Sequence, residues 1–109
     1  MADETADFFE ELGKRGHEPL LEKATGTVRF DLIDKGRTAR WKVAIKKGDL
    51  SVSRTNGHAD CVVRADKSVF NGLVTGEVNP MAALLRGTIG VQGDPELIVL
   101  FQRLFPRAS

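Results

Sequence analysis

Apolar and polar residues alternate through the central half of the chain, and this alternation requires a sheet with one buried face. Val28, Phe30 and Leu32 alternate with charged residues, and the same period of two continues from Ala39 to Ile45. Alternation of this kind is typical of antiparallel strands that pack one face on a core and expose the other. Because the apolar face must be covered, we expect other elements of the chain to pack on it.

Turn residues divide this region into strands. Glycine-containing segments at residues 34–36, 47–49 and 55–58 predict turns between them. We therefore expect four strands, arranged as a meander, over about residues 26–65, and a fifth strand over about residues 88–93.

Four further segments have the spacing of amphipathic helices and supply the cover. These helices are predicted over residues 3–15, 67–75, 80–86 and 95–105. An Asn-Pro pair and an Asp-Pro pair open the last two helices, and such pairs are strong start signals. The predicted fold is α+β: a five-stranded, mainly antiparallel sheet covered on one face by helices, in a single domain over residues 1–109.

The last predicted helix is more apolar than a surface helix needs to be. Its large apolar residues spread over an arc of roughly 160°, whereas a surface helix needs a stripe of about 100°. They are Leu97, Ile98, Leu100, Phe101, Leu104 and Phe105. Such a helix calls for a second partner besides the sheet, which can be a ligand, another subunit or a membrane surface. Packing between the sheet and the first helix explains the pattern equally well.

Several short motifs, taken in order, resemble those of the sterol carrier protein family. They are WKVAIKKG from Trp41, HADCVVRA from His58, FNGLVTG from Phe70, NPMAALLRG from Asn79 and TIGVQGD from Thr88. The resemblance covers residues 26–105. It implies a five-stranded sheet, helices on one side, and an enclosed apolar tunnel that in relatives holds fatty acids, acyl-CoA or sterols.

The resemblance also implies a set of residues close to the tunnel. These are Phe70, Leu73, Met81, Leu84, Leu85, Phe101 and Leu104. We add Trp41 and Val43 from the apolar face of the sheet, and Ile98 and Phe105 from the last helix, as further candidate ligand-binding residues. Such a site needs few polar groups, because burial of apolar surface supplies the binding energy.

The sequence thus predicts non-enzymatic binding, and transfer, of a lipid-like ligand such as a fatty acid, an acyl-CoA or a sterol-like molecule. The alternative is an interaction module whose apolar helix surface forms a homodimer or docks on a biosynthetic enzyme. Transient contact with a membrane surface is a third hypothesis, because basic residues cluster in the hairpin over residues 37–47.

Composition and spacing argue against several other classes of function. Sixteen basic and fifteen acidic residues are interspersed, so a nucleic-acid partner is not expected. His17 and His58 lack neighbouring ligands at metal-binding spacing, and the carboxylates are too scattered to form a catalytic pair. We therefore expect neither a metal site, nor a cofactor, nor catalytic residues.

The cysteine content and the first residues of the sequence indicate in which cellular compartment the protein acts. A single cysteine, Cys61, cannot form an internal disulfide, which favours a reducing environment. The first seven residues are acidic and lack the basic and apolar regions of a signal peptide. A cytoplasmic location is therefore expected.

Overall fold

Strand β1 (Thr25–Asp34) pairs on both sides and forms the centre of the sheet in a computed structural model that describes residues 3–55 and 57–105. On one side lies β2 (Arg37–Lys46), antiparallel to β1, followed by β3 (Asp49–Ser53). On the other side β4 (Cys61–Asp66) runs parallel to β1, and β5 (Ile89–Gly93) is antiparallel to β4. The predicted five-stranded, mainly antiparallel sheet is therefore confirmed.

The predicted meander is wrong for the fourth strand. β4 does not pair with β3; the chain crosses from β3 to the opposite side of β1. Asp60 anchors this crossing, since its backbone N–H donates to the Thr27 carbonyl oxygen at 3.0 Å and its carboxylate accepts from the Thr27 backbone N–H at 2.9 Å. Asn56, in the predicted turn, lies outside the described residues.

Four helices cover the same face of the sheet. Helix α1 spans Glu4–Arg15, α2 spans Lys67–Thr75, α3 spans Pro80–Arg86 and α4 spans Pro95–Phe101. Short 3-10 turns lie at Pro19–Leu21 and Gln102–Leu104. The segment predicted as one helix over residues 95–105 is thus α-helical only as far as Phe101.

The helix starts follow from local side-chain chemistry. Asp3, Asn79 and Asp94 each accept a hydrogen bond from a backbone N–H in the first turn of α1, α3 or α4. These bonds satisfy donors that have no partner within the helix. Proline occupies the first position of α3 and of α4, where its missing N–H costs nothing.

One aromatic cluster joins the helices to the sheet and contains all seven aromatic side chains of the sequence. Its members are Phe8, Phe9, Phe30, Trp41, Phe70, Phe101 and Phe105. The fully buried ring of Phe9 lies between Trp41, at a centroid distance of 4.8 Å, and Phe70, at 5.4 Å. Both contacts are stacked, so Phe9 fixes α1 against β2 and α2.

Phe9→Ala tests this arrangement. Removal of a fully buried ring that contacts four other rings should lower the free energy of unfolding by about 3–5 kcal/mol, since the neighbours cannot close the cavity. Urea denaturation followed by circular dichroism measures the change. Glu10→Ala, on the exposed face of the same helix, is the matched control and should change stability by less than about 0.5 kcal/mol. Equal effects of the two substitutions would contradict the assignment of Phe9 to the core.

Candidate ligand-binding cavity

A cavity lies between the sheet and helices α2, α3 and α4. The space between its atoms is about 460 Å³, counting the part of the mouth that is open to solvent. The part of this space that can be compared with known small-molecule sites is about 40 Å³, far below their usual range of about 300–1,000 Å³. The cavity is therefore narrow.

Strands form the floor of the cavity and helices form its walls. Of the described residues, thirteen line it, and twelve of these are apolar. The floor consists of Phe30, Val63, Ile89 and Val91, and the walls of Phe70, Leu73, Pro80, Met81, Leu84, Ile98, Val99, Gln102 and Phe105. Gln102, a neutral amide in the 3-10 turn that follows α4, is the one polar residue in this set. The lining therefore offers extensive apolar contact and a single hydrogen-bonding side chain.

The cavity is closed at its inner end and open at its mouth. Phe30 and Phe70 are almost fully buried, and both belong to the aromatic cluster. Met81 on α3 and Val99 on α4 also line the cavity, but they are 44% and 45% exposed. The mouth therefore lies between α3 and α4.

A glycine holds the β5 side of the floor in place. Gly93 has φ +98°, a conformation that side chains other than glycine rarely adopt. A Cβ atom at this position would lie 2.1 Å from the Asp60 carbonyl oxygen. The same carbonyl accepts the Asp94 backbone N–H at 2.9 Å, which joins the end of β5 to the start of β4.

Six of the eleven predicted ligand-binding residues are brought together in this cavity. They are Phe70, Leu73, Met81, Leu84, Ile98 and Phe105. The family resemblance implied the first four of them, and Ile98 and Phe105 came from the last predicted helix. Their role in ligand binding remains a prediction.

The structure does not bring the other five predicted residues into the cavity. Trp41 and Val43 lie on β2, where Trp41 stacks on Phe9 of α1 and the Arg54 guanidinium lies 4.4 Å from the centre of its ring. Phe101 is fully buried in the aromatic cluster, Leu104 is half-buried outside the lining, and Leu85 is 84% exposed. These five side chains therefore pack elsewhere in the domain or face solvent.

Sequence reasoning missed seven of the lining residues: Phe30, Val63, Pro80, Ile89, Val91, Val99 and Gln102. The alternation of apolar and polar residues places the four strand residues on the apolar face of the sheet. It does not predict the parallel pairing of β4 with β1, and this pairing decides which part of that face lies under α3 and α4.

Titratable groups lie outside the cavity lining that the structure describes. Cys61 is buried in β4, and this burial raises the pKa of its thiol, as expected of a structural cysteine. His17 contacts Asp49 at 2.8 Å, and this hydrogen bond raises the pKa of the imidazole. Across residues 3–55 and 57–105, the His, Cys, Asp and Glu side chains form no group of three that could hold a metal ion. None of the helices described is both long and apolar enough to span a bilayer.

Fold and site together define a domain that encloses an apolar cavity between a one-sided sheet and its helices. The model of the SCP-2 sterol transfer family matches residues 9–106. Human sterol carrier protein 2 is 31% identical over 102 residues, which are 88% of this chain and 19% of the human protein. The chain thus spans about a fifth of the length of such curated relatives. It belongs to the SCP-2 sterol transfer family, as its motifs predicted.

Solved structures show the same fold. The sterol carrier protein domain 2 of Helicoverpa armigera gives a TM-score of 0.76 at 22% identity, over 93% of this chain and 84% of that chain. Sterol carrier protein 2 of Aedes aegypti, in a complex with palmitate, gives a TM-score of 0.72 at 20% identity, over 97% of this chain and 100% of that chain.

Substitution of Gly93 by alanine tests the β5 side of the floor. The Cβ clash with the Asp60 carbonyl and the strained φ should lower the free energy of unfolding by about 2–4 kcal/mol. Gly90→Ala is the matched control on the same strand, because a Cβ there meets its nearest atoms only at about 3.9 Å. Thermal or urea unfolding measures both variants. If Gly93→Ala is as stable as Gly90→Ala, the close approach of β5 to Asp60 is incorrect.

Proposed function

We propose that this chain binds a lipid-like ligand with one long apolar chain, such as a fatty acid or a fatty acyl group, in the cavity, and transfers it without catalysing a reaction. The observation that carries the proposal is the lining, in which twelve of the thirteen described residues are apolar and the other is a neutral amide. Membership of the SCP-2 sterol transfer family and the palmitate complex of the Aedes aegypti relative support it.

Apolar burial alone provides enough free energy for such a ligand. Each methylene group removed from water contributes about 0.8 kcal/mol, so a dozen of them contribute about 10 kcal/mol before the costs of association. An apolar lining of this kind contacts the hydrocarbon chain of the ligand along its whole length. Among the lining residues that the structure describes, none is suited to act as a nucleophile or as a general acid.

The narrow bore favours a flexible chain over a rigid ring system. The void is only about 40 Å³, so its walls must separate before a ligand fits. Helix α3 is the wall with the weakest anchoring, since Ala83 is its only buried side chain. We infer that α3 moves outward on loading, because few buried contacts oppose its displacement.

Leu84 and Leu85 are neighbours on α3 and provide a matched test of the site. Leu84 lines the cavity, whereas Leu85 is 84% exposed. Leu84→Trp should lower the affinity for palmitate by about tenfold or more, because the indole ring occupies ligand space, whereas Leu85→Trp should leave it unchanged. Isothermal titration calorimetry measures the affinity, and native mass spectrometry counts the bound ligand. Equal palmitate binding by the two variants, or none by the wild type, would refute the proposed site.

Gln102 should recognise the polar head of the ligand. Its amide can donate to a carboxylate or a carbonyl oxygen, and a neutral hydrogen bond contributes about 0.5–1.5 kcal/mol. Gln102→Leu should therefore weaken palmitate binding by about threefold to tenfold and leave the binding of a hydrocarbon of the same length unchanged. A parallel loss for both ligands would show that Gln102 acts through packing instead.

The cellular setting is part of the same proposal. The sequence has a single cysteine, which cannot form an internal disulfide and so suits a reducing compartment. We therefore propose a cytoplasmic site of action.

A further inference from the structure

Part of strand β2 has a neighbouring strand on one side only. Its whole length, Arg37–Lys46, pairs with β1, but β3 pairs only with residues 42–46. Residues 37–41 therefore form an edge of the sheet, because β3 ends at Ser53 and the two residues that follow it belong to no strand. We refer to residues 37–41 as the free edge.

The register shows which backbone groups the free edge offers. The Lys47 N–H donates to the Ala24 carbonyl oxygen, directly beyond the last paired residues of β1 and β2. Hydrogen-bonded pairs recur at every second residue of an antiparallel ladder, so the odd-numbered residues of β2 bond to β1. The N–H and C=O groups of Thr38 and Arg40 consequently point away from β1. Among the residues that the structure describes, no strand or loop pairs with these groups.

A groove lies along the free edge. Its volume is about 500 Å³, and the described residues that line it are Thr38, Ala39, Arg40, Arg54 and Thr55. Two arginines and two threonines make this groove cationic and polar, in contrast to the apolar cavity. None of these five residues carries a carboxylate. An extended segment lying in the groove would contact both the backbone of β2 and the two guanidinium groups.

The guanidinium groups of the groove lack a full counter-charge. Arg40 lies 3.6 Å from the Asp31 carboxylate, but Arg29 already donates to both oxygens of that carboxylate, at 2.9 and 3.1 Å. Arg54 lies over the Trp41 ring at 4.4 Å and forms no ion pair with a described residue. Carboxylates of a bound segment would supply the missing counter-charge, and arginine–carboxylate hydrogen bonds are stronger than neutral ones.

The same charges select against a partner of equal sign. An exposed strand edge can pair with a second copy of its own chain, and basic side chains at the edge oppose this pairing by repulsion. Arg37 and Arg40 belong to the free edge, and Lys42 follows it directly. The edge therefore disfavours its own copy and favours a strand that carries carboxylates.

We propose that the free edge of β2 binds an extended acidic segment of another protein, which adds a strand to the sheet. Backbone hydrogen bonds to Thr38 and Arg40 hold the segment, and its carboxylates contact Arg40 and Arg54. The inference goes beyond the proposed function and does not rest on it, because the groove and the lipid cavity share no lining residue among those described.

A synthetic peptide of alternating glutamate and valine tests the proposal with the full chain. The peptide has about six residues, the length of an average strand, and is blocked at both ends. The contact is small, so we expect a dissociation constant on the order of 10–100 μM in an NMR titration. A lysine–valine peptide of the same length should not bind. Methylation of the peptide amides that face β2 should weaken binding by about tenfold, because it removes donors to the edge.

Hydrogen exchange tests the edge directly. In the free protein the amides of Thr38 and Arg40 should exchange faster than those of Ala39 and Trp41, whose N–H groups bond to β1. Addition of the glutamate–valine peptide should protect Thr38 and Arg40 and leave the other two amides unchanged.

Two substitutions separate the backbone contacts from the charges. Thr38→Pro removes an N–H that faces the edge but no bond to β1, and should weaken peptide binding by about threefold to tenfold. Arg54→Gln should weaken it by a similar factor of about threefold to tenfold and reduce its dependence on salt. Arg86→Gln on α3 is the matched control, because Arg86 is exposed and lies outside the groove. It should bind the peptide as the wild type does. Thermal unfolding checks each fold, and the methylated peptide makes the backbone test if Thr38→Pro does not fold.

Several results would overturn the proposal. They are the absence of binding by the glutamate–valine peptide, equal binding by its methylated form, and equal affinities of Arg54→Gln and Arg86→Gln. A dimer in light scattering that Thr38→Pro abolishes would assign the edge to a second copy of the chain. Displacement of the peptide by vesicles of phosphatidylcholine and phosphatidylserine would assign the basic hairpin over residues 37–47 to a membrane surface instead.

Discussion

The stacking of Phe9 between Trp41 and Phe70 is the contact on which the rest of the structure depends. Every aromatic ring of the sequence belongs to the cluster that this stack organises. The stack brings together α1, β2 and α2, which are distant in sequence, and the remaining rings extend the cluster to β1 and to α4. Aromatic pairs of this type contribute about 0.5–1.5 kcal/mol each beyond the burial of their area.

The cavity takes its inner wall from the same cluster. Phe30, Phe70 and Phe105 contact other rings and also line the cavity. One end of the cavity is therefore as firmly packed as the core of the domain, whereas the mouth is bordered by α3, which buries only Ala83. The inner end of the cavity thus maintains the fold, whereas the mouth can move to admit a ligand. This difference explains how a cavity this narrow can admit the ligand that we propose.

The sequence predicted the elements of the fold well, because their signals are local. Alternation marked the strands, and Asn79-Pro80 and Asp94-Pro95 marked the starts of two helices. The parallel pairing of β4 with β1 could not be predicted, since alternation places residues on a face but does not specify the neighbouring strand. The contacts of Asp60 with Thr27 lie at the start of this pairing, and they join residues 33 positions apart.

The difference between local signals and long-range contacts also explains why only six of the eleven predicted residues line the cavity. Residues 81–85 of α3 are all apolar, so their periodicity could not separate Leu84, which lines the cavity, from Leu85, which faces solvent. Trp41 was a reasonable candidate on the apolar face of the sheet, but α1 covers that part of the sheet. Gln102 had no sequence signal at all, because a single glutamine in an apolar segment resembles any surface residue.

The most direct test of the account is the position of a bound chain. Nuclear Overhauser contacts between ¹³C-labelled palmitate and the protein methyl groups locate the ligand without any substitution. The account predicts contacts from the palmitate methylenes to Val63, Ile89 and Ile98, which border the cavity on β4, β5 and α4. Contacts confined to Val43 and its neighbours on β2, or to exposed methyl groups such as those of Leu20, would contradict it.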